Sequence, residues 1–234
     1  MRAWRRRRRG ESGAVAVEAA LVMPLLCLLI FGMVEFSFLL RDYVSVTAAN
    51  RAGGRVAATG AAAGDCISDA SDATKCPVAI HTVPAFAQNT AEAMNRSLTG
   101  VPRDSINYVL IFEANKNGFP CTNAATCNPD LTPTGQTADN NTTMPSSCTG
   151  YVNCVMFTWN ATKGAFRYAS GTWDSRTIAA CVNKQDSVGV FLRATHQWQT
   201  GLFGSSVPVN DRGVSKFEPL SDDSCDSTKI AKHG

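Results

Sequence analysis

The chain has 234 residues, of which 44% are hydrophobic and 18% are charged, enough apolar sequence for one core of ordinary size. Its formal charge of +3 is unevenly spread, because six arginines, Arg2 and Arg5 to Arg9, precede residue 10. The rest of the chain is slightly acidic, so its charge does not support a nucleic-acid-binding surface on the body of the protein, and we expect no nucleic-acid partner.

A basic leader, residues 1–13, is followed by an apolar run, residues 14–40. As a helix this run would span about 40 Å, whereas the hydrocarbon core of a bilayer is roughly 30 Å thick. It is too long for a cleavable secretory signal, whose apolar core has roughly 7 to 15 residues. We therefore predict one transmembrane helix.

Charge on the two sides of this helix predicts its orientation. Arginines crowd the N-terminal side, whereas Arg41 on the other side is balanced by Asp42. Positive flanks stay in the cytoplasm, so the N-terminus is predicted to be cytoplasmic and the chain after the helix to lie on the other side of the membrane.

Three residues of the apolar run need a separate explanation: Glu18, Pro24 and Glu35. A carboxylate at the bilayer centre costs on the order of 3 kcal/mol, but the two glutamates are about 26 Å apart along a helix, so each can lie near one interface. We favour that interpretation for Glu35. Pro24 predicts a kink, which membrane helices tolerate.

Nine cysteines divide into one inside the apolar run, Cys27, and eight beyond it. An even number in a Thr-, Asn- and Ser-rich region predicts up to four disulfides in an oxidising compartment, in agreement with the predicted orientation. The spacing does not fit zinc ligands. Eight cysteines allow many pairings; we favour the local ones, Cys66 with Cys76, Cys121 with Cys127 and Cys148 with Cys154, which leaves Cys181 to pair with Cys225.

The extracytoplasmic part, residues 41–226, has the pattern of an α+β domain. The long helix is predicted to continue until Gly60 and Gly64 mark its end, with small and apolar residues on one stripe that we expect to pack on the protein's own sheet rather than on a neighbouring helix. A short helix is predicted at 86–98. A four- to five-stranded antiparallel sheet is predicted from segments 105–114, 151–159, 165–169, 187–198 and 213–218, with a disulfide-held loop insertion at 115–150 and a tail at 227–234.

Alternation assigns faces in two of these strands. Ile106, Tyr108, Leu110 and Phe112 are predicted to share one face of the first. In the fourth, the alternation from Val188 continues to Trp198 and includes His196, which we interpret as a sheet-face residue rather than a ligand.

No arrangement typical of an enzyme or of a metal or cofactor site occurs in the sequence. His81, His196 and His233 are widely spaced, and no nucleophile elbow or phosphate-binding loop is present. We therefore expect no catalytic residue, no metal and no cofactor.

The stretch from Gly13 to Ala58, "GAVAVEAALVMPLLCLLIFGMVEFSFLLRDYVSVTAANRAGGRVAA", closely resembles the start of TadE-like proteins, pseudopilin-like components of the tight-adherence (Tad, or Flp) pilus machinery. The likeness rests on Glu18, the Pro24 region and the Gly32–Glu35 pair. A second, weaker likeness is "GVSKFEPL" at 213–220. The resemblance implies a pilin-like plan, with half of the long helix in membrane or filament and half on the sheet.

The resemblance also implies processing. Type IV prepilins are cut after a glycine, and the fifth residue of the mature chain is a glutamate. Here cleavage after Gly13 would make Ala14 the first residue and Glu18 the fifth. Glu18 would then pair with the new ammonium of a neighbouring subunit and set the packing register. Ala19 departs from the aromatic residue that is common after this glutamate.

Two functions follow as expectations. The first is a minor pseudopilin or assembly component of a Tad/Flp system, in the inner membrane or in a filament at the cell surface. Its implied partners are the prepilin peptidase, other Tad pseudopilins, the Flp pilin, inner-membrane platform proteins and the lipid bilayer. The alternative is an uncleaved, single-pass adhesin or binding module, for which the insertion at 115–150 would supply the binding surface.

Overall fold

The computed structural model describes residues 11–67, 72–77, 79 and 81–220. Most of the basic leader, the tail, His233 and Cys225 lie outside the described residues. In chain order the elements are α1 (Glu11–Ala58), α2 (Ala85–Ser97), β1 (Ile106–Glu113), α3 (Ala124–Cys127), β2 (Cys154–Asn160), β3 (Ala165–Thr172), β4 (Ser187–Gln197) and β5 (Ser206–Lys216). This composition confirms the predicted α+β class.

The strands form one antiparallel sheet in the order β3-β2-β1-β4-β5. β1 is central, with Val109 opposite Phe157 of β2 and opposite Leu192 of β4. β4 and β5 form the longest ladder, which runs from Ser187 opposite Lys216 to Gln197 opposite Ser206. The segment that joins them, residues 198–205, is called the β4–β5 tip below.

The second half of α1 and all of α2 cover one face of the sheet. Val46, Ala49 and Ala57 of α1 are fully buried there, so the small-residue stripe packs on the protein's own domain, as predicted. Gly53 lies where α1 crosses α2, and a Cβ at this position would meet Met94 Cγ at 2.5 Å. The two helices therefore approach too closely for any larger residue at position 53.

The opposite face of the sheet is covered by the 115–150 insertion. Tyr108, Leu110 and Phe112 of β1 pack there with Phe191, against Cys148 and the half-buried side chains of Met144 and Tyr151. The insertion is therefore the second wall of the core as well as a surface loop.

Inside the insertion, one buried carboxylate joins three segments. Asp139 accepts hydrogen bonds from Asn115 Nδ2 (2.8 Å), from the Thr122 backbone N–H (2.8 Å) and hydroxyl (2.6 Å), and from the Asn141 N–H (3.0 Å). Burial raises the pKa of Asp139, but these donors outweigh it and hold the pKa at about 2.

Three disulfides join the local pairs that the spacing favoured: Cys66–Cys76, Cys121–Cys127 and Cys148–Cys154. Cys181 is also disulfide-bonded, and its predicted partner Cys225 lies outside the described residues. Cys27 is a free, exposed thiol.

Two details of the sheet differ from the sequence prediction. The register shifts by one residue between Ile106 and Tyr108, so Ile106 packs on the helix-covered face with Val109 and Ile111 and not with Tyr108. The predicted strand 213–218 was too short, because β5 begins at Ser206 and ends at Lys216. β5 is an edge strand with one exposed face, and several positions on its half-buried face are polar or glycine (Asp211, Gly213 and Ser215), so its sequence lacks a strong apolar alternation.

Candidate functional site

The N-terminal half of α1 is an apolar surface that the described head does not cover. Its side chains from Val15 to Phe31 are exposed, and the helix is long and apolar enough to cross a membrane. A helix that is hydrophobic on all sides requires either lipid or other helices around it. This surface and its junction with the head form the candidate site.

The three residues of the predicted processing site lie at the start of this surface. Gly13, Ala14 and Glu18 are exposed, and nothing lies within 4 Å of a Cβ built at Gly13. Glu18 follows Ala14 by four residues, so the two lie on the same side of α1, about 6 Å apart along its axis. Within residues 11–67, 72–77, 79 and 81–220, no ion-pair or hydrogen-bond partner for Glu18 is observed. Cleavage itself stays a prediction.

Pro24 is exposed within α1, which is one continuous helix of 48 residues. The predicted kink stays a prediction.

Glu35 is completely buried, although it lies within the predicted membrane segment. Its carboxylate accepts hydrogen bonds from the backbone N–H of Gln199, at 3.1 Å, and from that of Thr200. Both donors belong to the β4–β5 tip. The tip therefore satisfies the carboxylate and screens it from the surroundings of the helix.

Two turns further along α1, a second acid makes a buried contact with the sheet. Asp42 Oδ2 lies 2.7 Å from His196 Nδ1, and the two side chains are 7% and 4% exposed. His196 is packed edge-on against Trp198 at 4.9 Å between ring centroids, and Trp198 contacts Phe203 at 5.4 Å. This chain of contacts fixes the end of β4 and the tip against the helix.

Sequence reasoning missed this junction. It treated Asp42 only as a charge that balances Arg41, and it assigned no role to residues 199–203. A signal was present: Glu35 and Asp42 are seven residues apart, close to two helical turns, and the same stripe continues to Val46 and Ala49, which are buried. Acids on the buried stripe of a helix require buried partners.

An apolar groove of about 490 Å³ lies beside the junction, between α1 and the edge strand β5. It is lined by Phe36, Leu39, Leu40, Tyr43, Val207, Pro208, Val209 and Asn210. The exposed apolar surface of α1 therefore continues from the helix onto strand β5 of the head.

Residues 13–55 match a family model described as TadE-like protein. The match covers the exposed part of α1 and most of its contact with the head, and it confirms the resemblance there; the weaker likeness at 213–220 stays a prediction. No curated protein and no solved structure matched the chain.

Proposed function

We propose that this chain is a minor pseudopilin or assembly component of a Tad/Flp type IV pilus system. The match of residues 13–55 to the TadE-like family supports this proposal, because it indicates a component associated with a Tad pilus. Its action is structural. Residues 14–40 pack side by side with the helices of other subunits, in the membrane or in the filament, and the disulfide-bonded, pilin-like head stays outside.

The observation that carries this proposal is the position of Glu18. It is an exposed carboxylate on an apolar helix, without a partner among the described residues, one turn after Ala14. Cleavage after Gly13 would create an ammonium that a neighbouring subunit could present to it. The pair would remove the cost of a lone carboxylate in a low-dielectric region and would fix the axial register of the helices.

The groove between α1 and β5 supports lateral packing above the membrane. Phe36, Leu40 and Tyr43 stand exposed there, on a surface continuous with the transmembrane part of α1. A second helix laid along this line would bury apolar area over the whole length of contact.

The partners follow from this role. A prepilin peptidase would remove the leader, and the Flp pilin, other Tad pseudopilins and the inner-membrane platform proteins would contact the helix. The chain would reside in the inner membrane with its N-terminus in the cytoplasm, before any entry into a filament. This role needs no catalytic chemistry.

N-terminal sequencing of the protein purified from membranes of its own host tests the proposal. A start at Ala14 is expected. Gly13→Leu should leave a membrane-retained precursor of higher mass, because the glycine that precedes the implied cut is lost. Ala20→Leu, on the mature side, is the matched control and should be processed normally. A wild-type protein that retains the leader would contradict the processing step.

The second candidate is an uncleaved, membrane-anchored adhesin or binding module. One observation favours it: the 115–150 insertion borders a cleft of about 480 Å³ whose lining includes Lys116, Asp130 and Arg212. An intact leader in the mature protein would support this function over the first.

A further inference from the structure

The β4–β5 tip extends along α1 toward its N-terminus and contacts the apolar segment of the helix. The Cζ atom of Phe203 lies 3.7 Å from the position of a Cβ built at Gly32, so its ring packs over a residue without a side chain. Gly32 precedes Leu40, the end of the apolar run, by eight residues, which corresponds to about 12 Å along the helix axis. The tip therefore contacts α1 inside the predicted membrane segment, about 12 Å before its C-terminal end at Leu40.

The tip presents apolar side chains outward. Leu202 is 51% exposed and Phe203 is 53% exposed, beside the half-buried Trp198. Trp at the boundary of an apolar surface is characteristic of membrane interfaces, where its ring contacts lipid and its N–H contacts water. This exposed Leu-Phe pair at the end of the hairpin extends the uncovered apolar surface of α1, which Phe203 contacts at Gly32.

Four backbone N–H groups of the tip donate hydrogen bonds within the protein, which lowers the cost of placing the tip in a low-polarity environment. The Trp198 N–H donates to Ser205 O at 3.1 Å, and the Gly204 N–H donates to Gly201 O at 3.3 Å. The N–H groups of Gln199 and Thr200 donate to Glu35. Gly201 and Gly204 have φ values of +72° and +103°, which permit this tight turn.

We propose that the β4–β5 tip is a second membrane contact, which inserts Leu202 and Phe203 into the boundary between headgroups and acyl chains of the outer leaflet. A hydrocarbon core of about 30 Å accommodates roughly 20 helical residues. Counted from Ala14, it ends close to Met33, so Gly32 and Phe203 lie just inside its outer edge. The partner is phospholipid, chosen because the tip is continuous with the lipid-facing surface of α1.

The inference accounts for the burial of Glu35. Without the hydrogen bonds from the tip, the Glu35 carboxylate would be exposed at the outer boundary of the lipid. Capped by two N–H groups of the tip, it instead anchors the inserted hairpin to α1. The tip thereby holds the head at a fixed tilt and height over the bilayer. This inference requires that α1 spans the membrane, but it does not require cleavage after Gly13.

A depth measurement on the full-length protein in phosphatidylethanolamine/phosphatidylglycerol vesicles tests the proposal. In a Cys27→Ser background, Leu202→Cys introduces a single free thiol at the tip for an environment-sensitive nitrobenzoxadiazole dye. Lys116→Cys is the matched control. Lys116 is exposed and follows Glu113, which is the end of β1 that lies away from the tip. Lipids brominated near the top of the acyl chain serve as the quencher.

The expected result is a blue-shifted emission at position 202 and loss of its fluorescence in brominated vesicles, with neither effect at position 116. Unquenched, red-shifted emission at 202 would overturn the proposal, because the tip would then stand in water. Blue-shifted emission without quenching would also overturn it, since a protein surface, and not lipid, would then cover the tip. Either failure leaves processing at Gly13 untouched and separately testable.

Discussion

Asp42 and His196 form a buried polar pair between the long helix and the fourth strand, with Oδ2 and Nδ1 2.7 Å apart. They are separated by 154 residues in the chain, so the contact forms only when the head has docked on α1. Together with the capping of Glu35, it gives the junction between α1 and the head a buried polar centre.

Asp42→Ala should destabilise the folded head by about 1–3 kcal/mol, because it leaves the imidazole Nδ1 of His196 buried without its partner. Arg41→Ala is the control: it removes a half-exposed ion pair to Asp42 and a cation–π contact with Phe38 at 5.5 Å, each of which typically contributes about 0–1 kcal/mol. Chemical denaturation in detergent, followed by near-UV circular dichroism, measures both. Equal losses in the two variants would refute the role assigned to the pair.

Glu35→Gln should loosen the β4–β5 tip while the rest of the domain stays folded. The charged acceptor for two backbone N–H groups is lost, and hydrogen bonds to a charged group are each worth about 1.5–3 kcal/mol. Faster amide hydrogen exchange in residues 198–205 is the readout. Ser37→Ala, which affects only a bond from the Ser37 hydroxyl to Met33 O within the helix, should leave that exchange unchanged.

Adjacent glycines of α1 should respond in opposite ways to alanine. At Gly53 the new Cβ would meet Met94 Cγ at 2.5 Å, so Gly53→Ala should cost about 1–3 kcal/mol through overpacking. At Gly54 the nearest atom is Ser215 Oγ at 4.0 Å, so Gly54→Ala should be neutral or stabilise the helix by up to about 1 kcal/mol. Thermal unfolding of the pair tests how closely α1 and α2 approach; a stabilised Gly53→Ala variant would disprove the close contact.

Asp139 should make the stability of the head sensitive to acid. Its pKa in the folded protein is about 2, below the ordinary 3.8, so its stabilising contribution is complete above the unfolded pKa and is lost as the pH falls from about 4 towards 2. Asp139→Asn should therefore be less stable than the wild type at pH 7, with a difference that shrinks towards pH 2. Asp104→Asn, at an exposed carboxylate, is the control. A difference that is constant with pH would contradict the assignment.

The parts of the fold that the sequence predicted are those coded by local pattern. The apolar run and the small-residue stripe predicted α1, the alternation from Val188 to Ala194 predicted the buried face of β4, and short loops favoured the three local disulfides. In each case the deciding interactions lie within one element or within about ten residues.

The features that the sequence did not predict depend on distant contacts or on irregular backbone. The capping of Glu35 joins residues 165 positions apart, and no local pattern marks Thr200 as its donor. The shift at Ile106 breaks the two-residue period on which the face assignment rested. The first half of β5 was not predicted because Pro208 is unfavourable within a strand and many of its side chains are exposed.

The central claim, that Glu18 meets an ammonium created by cleavage, can be tested by carbodiimide crosslinking of the assembled pilus machinery, which joins a carboxylate and an amine in contact. Mass spectrometry should find Glu18 linked to the N-terminal amine of a neighbouring subunit, and Glu18→Gln should abolish this link. Asp130 and Lys216, whose charged atoms are 3.5 Å apart on the exposed head, provide an internal control for the reaction. A sample that shows the Asp130–Lys216 link but none at Glu18 would contradict the account.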